Sequence, residues 1–240
     1  MTSDSMDMSI TQHLEELRRR IIASIGALAA CFLFCISYQR QLVSLFTSTL
    51  PPAGGVSLQV LSPTEGFLTG IKVSFYAALI LSSPVLLTQL WLFICPGLKS
   101  SERKVILLSL PFSMVLFLGG ALVAFRYAVP TALTFLRAFM PADISNVYSL
   151  SSYVGFMGWA MVILGVLFQI PLVMSAMTMA GLVTVRTLTS MRRYALFGSF
   201  VLGALLTPPD VVTQICMAIP LCLLYEAGIV ISRIIELRRK

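Results

Sequence analysis

Residues 13–20 place Glu15 and Glu16 beside Arg18, Arg19 and Arg20, directly before the first long apolar run. Carboxylates there can do two kinds of chemistry. They can pair with the chain's own arginines, since Glu15 and Arg19, like Glu16 and Arg20, stand four apart and share a helix face. They can also accept a bidentate guanidinium from a charged partner arriving at a lipid boundary. Spacing alone leaves both readings open. A second acid, Glu102, is the only one in the connection spanning residues 93–104. In the first turn of a helix it would be favoured by the helix dipole. It could equally receive a guanidinium from outside the chain.

The elements that must position these acids follow from local pattern. Ser9 and Gln12 fit a capping box, so a helix starts at Ile10. Ile10, Leu14, Leu17 and Ile21 then form one apolar stripe that lies on or enters the membrane and runs into the first span. Pro96 and Gly97 end the helix that precedes Glu102, and Ser100 or Ser101 can cap the next.

The chain of 240 residues is 58% hydrophobic and 11% charged. That composition is too apolar for a soluble domain and fits a multispanning membrane protein. Apolar segments fall at residues 21–38, 73–93, 105–125, 153–179, 194–206 and 211–231. The fifth is short, and the tight turn 207–210 makes a hairpin of the last two. Thirteen of the 17 Lys and Arg residues fall at the two termini and in the second and fourth connections. Both termini are therefore expected on the cytoplasmic side, with no removable signal peptide at the start. The net charge of +7 needs no nucleic-acid partner, because the basic residues cluster between spans. Pro84, Pro111, Pro130, Pro171 and Pro220 predict kinked helices in a curved bundle. Residues 39–72 and 126–152, on the opposite side, are expected to hold short surface helices or caps.

The expected fold is an all-α membrane protein of six transmembrane helices with short fifth and sixth helices. It forms a single integral domain over residues 1–240: an amphipathic segment at 1–20, spans over 21–231, and a basic tail at 232–240. Five cysteines and one histidine form no ligand cluster, and no phosphate loop or nucleophilic set is present, so neither a metal nor an enzyme is expected. Gln169, before Pro171, is read either as an interhelical hydrogen-bonding group or as a contact for a partner. Glu226 is read either as an intramembrane acid or as a residue near the cytoplasmic interface.

Three stretches, in this order, resemble the TatC family, the receptor subunit of the twin-arginine protein translocase. They are His13-Leu14-Glu15-Glu16-Leu17-Arg18; Phe93-Ile94-Cys95-Pro96-Gly97-Leu98 with Glu102-Arg103; and Leu205-Leu206-Thr207-Pro208-Pro209-Asp210. The resemblance implies a non-enzymatic protein of the bacterial inner membrane. It would bind twin-arginine signal peptides of folded cargo, work with single-span TatA-type and TatB-type subunits in an oligomeric complex, and use the proton-motive force without a cofactor. It assigns the peptide arginines to Glu16 and Glu102, with Leu17, Arg18, Phe93 and Pro96 around them. Charge-assisted pairs of that kind contribute about 1.5–3 kcal/mol each. It assigns partner helices to a polar cluster including Thr207 and Gln214, and adds a functional role for Asp210, which from its position alone reads as a cap at the start of the sixth span. Many relatives carry a glutamate where this chain has Gln169, which cannot titrate. A six-span secondary transporter of a small solute is the alternative that the kinked spans, Gln169 and Glu226 motivate; a third is a scaffold for partner helices.

Overall fold

The six apolar runs lie in helices, the fourth interrupted by a turn at residues 168–169, and Pro84, Pro111 and Pro220 stand inside continuous helices. The computed structural model describes residues 10–50, 56–94, 100–138, 146–206 and 211–239. The order is α1 (Ile10–Ser37), α2 (Gln39–Thr47), β1 (Val56–Gln59), α3 (Glu65–Ile94), α4 (Ser100–Val123), a π-helical turn (Ala124–Ala128), α5 (Val129–Ala138), β2 (Asn146–Ser149), α6 (Leu150–Leu167), α7 (Ile170–Met179), α8 (Val185–Ser190), α9 (Arg192–Leu206) and α10 (Val211–Arg239). α1 is helical from the first described residue, Ile10, and carries the amphipathic segment into the first span without a break; the proposed cap Ser9 lies outside the described residues.

Among the described residues, five stretches are long and apolar enough to cross a membrane: Leu14–Ser37, Glu65–Phe93, Ser109–Ala138, Leu150–Met179 and Met217–Leu237. The 15 residues of α9 reach about 22 Å, short of the roughly 30 Å hydrocarbon thickness. The short fifth helix is therefore present. The short sixth is not: α10 has 29 residues. It runs on because residues 232–239, expected as a tail, remain helical and docked. Ser232 is fully buried, and a Glu236 carboxylate oxygen accepts the Val185 N–H at 3.1 Å, satisfying a free donor at the start of α8.

Each proline removes a donor, and at Pro84 a neighbouring hydroxyl compensates. Pro84 would leave the Ile80 carbonyl without its helical partner, and the Ser83 hydroxyl donates to that carbonyl at 2.7 Å. Pro130 cannot donate to the Arg126 carbonyl, and the chain passes through the π-helical turn just before it. Pro171 stands at the break between α6 and α7, so the fourth apolar run is two helices, not one.

α6 is the centre of the bundle, packing on α3 and α4, while α7 and α9 pack on α10. Val73, Ala121, Ala124, Val154, Met157 and Leu164 form the main core. Gly158 lets α6 approach α3 closely: a Cβ there would stand 2.1 Å from the Tyr76 ring. α1 packs chiefly on α3 and is the least buried span. That leaves its basic-end residues at the edge of the bundle.

The opposite end is capped, as expected, by α2 and α5, and also by an unexpected pair of strands. β1 and β2 lie parallel, with Val56 opposite Asn146 and Gln59 opposite Ser149. Glu65, buried at the start of α3, holds this cap. Its carboxylate accepts the Leu61 N–H, the Ser149 hydroxyl and the Ser151 N–H. Lys72 donates to the Ser151 hydroxyl at 2.7 Å, and Tyr153 donates to the Phe46 carbonyl at 2.9 Å.

Candidate functional site

α1 and α3 run antiparallel, so the charged start of α1 meets the end of α3. This contact brings Glu16, Arg20 and Gln89 together. The Glu16 Oε1 atom accepts both Nε of Arg20, at 3.1 Å, and its Nη2. The Nη1 atom of Arg20 points to the Gln89 Oε1 atom at 3.5 Å. Both charged side chains are only 19% exposed. The second Glu16 oxygen, Oε2, is buried and has no hydrogen-bond partner among the described residues. A buried carboxylate oxygen left unpaired carries a desolvation penalty that an incoming donor would relieve. The self-pairing read from the i,i+4 spacing is thus present for Glu16 and Arg20, yet it uses one oxygen and leaves the other vacant.

The neighbours follow the helix face. Leu17 is half-buried, whereas Glu15, Arg18 and Arg19 are exposed. Phe93 is half-buried in the last turn of α3. Glu102 lies in the first turn of α4, at the same end of the bundle. Pro96 falls outside the described residues.

The intramembrane polar residues separate into three places. Gln169, at the break between α6 and α7, is buried. Its Oε1 accepts the Ser113 hydroxyl at 2.6 Å, and its Nε2 donates to the Ser113 carbonyl at 3.0 Å. Trp91 donates its indole N–H to the same hydroxyl at 3.1 Å. Of the two readings of Gln169, the interhelical hydrogen bond is the one the geometry contains. Gln214 donates to the Phe200 carbonyl at 2.9 Å, joining α10 to α9 near their hairpin. Thr207 and Asp210 of that hairpin lie outside the described residues. Glu226 pairs with Arg192 at 2.7 Å, with both side chains about half exposed, so it sits level with the start of α9 at the basic end.

Sequence reasoning missed Gln89, Trp91, Ser113 and Glu65. Trp91 carried a signal, since a buried indole N–H requires an acceptor. Glu65 carried another, as an acid at the first turn of a helix after Ser62-Pro63-Thr64. Gln89 carried none that spacing can reveal, because its role depends on how α1 packs against α3.

Comparison with known proteins places this arrangement. A family model described as "Sec-independent protein translocase protein (TatC)" matches residues 12–220. The TatC protein of Magnetococcus marinus is 37% identical over 232 residues, covering 96% of this chain and 86% of that protein. That of Aquifex aeolicus is 36% identical over 236 residues, covering 97% and 98%. A crystal structure of the twin-arginine translocase receptor TatC in the detergent DDM superposes with a TM-score of 0.83, at 36% identity, over 92% of this chain and 99% of that one.

Proposed function

Because the chain belongs to the TatC family of Sec-independent protein translocase proteins, we propose that it is the receptor subunit of a twin-arginine translocase in a bacterial inner membrane, with both termini in the cytoplasm. Its task is to bind the paired arginines of a signal peptide and commit folded cargo to export. The observation that carries this reading is the vacant, buried Oε2 of Glu16 at the edge of the bundle. A guanidinium that inserts beside α1 and displaces the side chains covering Oε2 would satisfy it. Glu102, in the first turn of α4 at the same end, takes the second arginine. Leu17, Arg18, Phe93 and Pro96 are the proposed supporting residues of this site, and the peptide's apolar stretch lies along the spans.

Single-span subunits of the TatA and TatB type are the proposed partners, in an oligomeric complex driven by the proton-motive force. The short α9 suits that role, because a short helix thins the bilayer locally, and Thr207, Asp210 and Gln214 are the proposed partner-contacting residues of this hairpin. Gln169 serves the fold by pinning the α6–α7 break. The solute-transporter alternative is not retained. The polar head of Gln169 is closed by Ser113, whose hydroxyl also accepts from Trp91, and Glu226 is paired with Arg192.

The test in cells is export of a folded reporter carrying Arg-Arg or Lys-Lys in its signal, in a strain lacking this chain and then complemented with it. Restored export of the Arg-Arg reporter alone supports the receptor reading. Export that is equal for both reporters, with or without the chain, contradicts it.

A further inference from the structure

Glu16 already holds a guanidinium before any ligand arrives, and that guanidinium comes from its own helix. We propose that Arg20, held by Gln89, is a built-in competitor that makes the Glu16 site select arginine over lysine. The proposal rests on the reading of Glu16 as a receptor for peptide arginines.

Three observations support it. Two nitrogens of Arg20 converge on one oxygen of Glu16. The third nitrogen points to Gln89 on α3, so the cap is tied to the packing of α1 on α3 and does not swing freely. Both side chains are four-fifths buried, while Oε2 stays vacant.

The consequence is electrostatic. A Glu16–Arg20 pair is neutral as a unit, so its pull on an approaching cation is weak compared with that of a bare carboxylate. A ligand must then gain its binding from directed hydrogen bonds at Oε2. Guanidinium suits that demand: it is planar, offers N–H groups in a fixed fork and sheds water readily. Once the covering side chains part, it can bond the unpaired oxygen while Arg20 keeps the other. Ammonium is compact and strongly hydrated, and it depends on net charge, which the cap has removed. Arg20 therefore acts through Glu16 as a positioning residue: it sacrifices some affinity for every cation and most for lysine. Arg18 and Arg19, both exposed, remain outside this arrangement.

The experiment measures binding of two labelled signal peptides, Arg-Arg and Lys-Lys, to the full chain in detergent. The readout is the ratio of their dissociation constants. Arg20→Gln is expected to tighten Lys-Lys binding about tenfold, the equivalent of one charge-assisted hydrogen bond. Arg-Arg binding should change by less, so the ratio collapses. Gln89→Leu frees Arg20 and moves the ratio in the same direction by a smaller factor. Arg20→Lys keeps a cation at the position and restores most of the discrimination. A merely structural role would weaken both peptides together and leave the ratio alone.

An unchanged or larger ratio in folded Arg20→Gln overturns the proposal. If that variant binds neither peptide, Gln89→Leu decides, and an unchanged ratio there overturns it equally. Failure of the underlying receptor reading looks different: Glu16→Gln would bind the Arg-Arg peptide as tightly as the parent chain.

Discussion

Gln169 and Ser113 exchange two hydrogen bonds across the bundle, hydroxyl to amide oxygen and amide nitrogen to backbone carbonyl. The indole N–H of Trp91 completes the set on the Ser113 hydroxyl. Every polar atom of the Gln169 head is engaged where α6 breaks into α7. Interhelical hydrogen bonds in membranes contribute about 0.6–1.7 kcal/mol each. Gln169→Leu should therefore lower unfolding stability by roughly 1–3 kcal/mol for the two bonds. A double-mutant cycle with Ser113→Ala, read from detergent unfolding curves, should give a coupling of the same sign. Additive effects would show that the pair does not act as a unit.

The contact of Gly158 with Tyr76 makes a second, steric prediction. A methyl group at Gly158 would enter the Tyr76 ring near its root, where rotation offers little escape. Gly158→Ala should destabilise by about 1–3 kcal/mol, the usual penalty for overpacking. Gly155→Ala, one turn earlier with nothing within 4 Å of its Cβ position, should be close to neutral. Thermal aggregation in detergent distinguishes the two.

Glu65 organises the cap at the end remote from Glu16. Glu65→Gln keeps one acceptor oxygen and loses the charge that gathers three donors. Hydrogen exchange should quicken at the Leu61 and Ser151 amides, with the α1–α3 contact unaffected. Exchange that is unchanged at both amides would remove Glu65 from this role.

The Arg192–Glu226 pair should matter little for stability. Both partners are about half exposed, and ion pairs in such positions contribute about 0–1 kcal/mol. Glu226→Gln should unfold within that margin of the parent chain. A larger loss would mean that Glu226 is more deeply desolvated than its exposure indicates.

The spans were legible because a membrane helix needs only length and apolarity, both local properties. The continuity of the charged segment with the first span was legible for a similar reason, since its apolar stripe occupies nearby residues of one helix face. The end of α10 was not, because its last turns are charged, and Glu236 keeps them in place through a residue 51 positions away. β1 and β2 escaped notice because each has four residues and pairs with a segment 90 positions distant, Val56 with Asn146. At the site, the Glu16–Arg20 pair could be read from i,i+4 spacing. Gln89 and the vacancy on Oε2 could not, since both arise only when α1 packs on α3.

The central claim is that Glu16 and Glu102 together receive a pair of arginines, and binding of an Arg-Arg signal peptide to the purified chain tests it most directly. Glu16→Gln and Glu102→Gln should each weaken binding at least about tenfold and together abolish it, with the fold intact by size-exclusion and thermal unfolding. Parental affinity in both single variants would contradict the account.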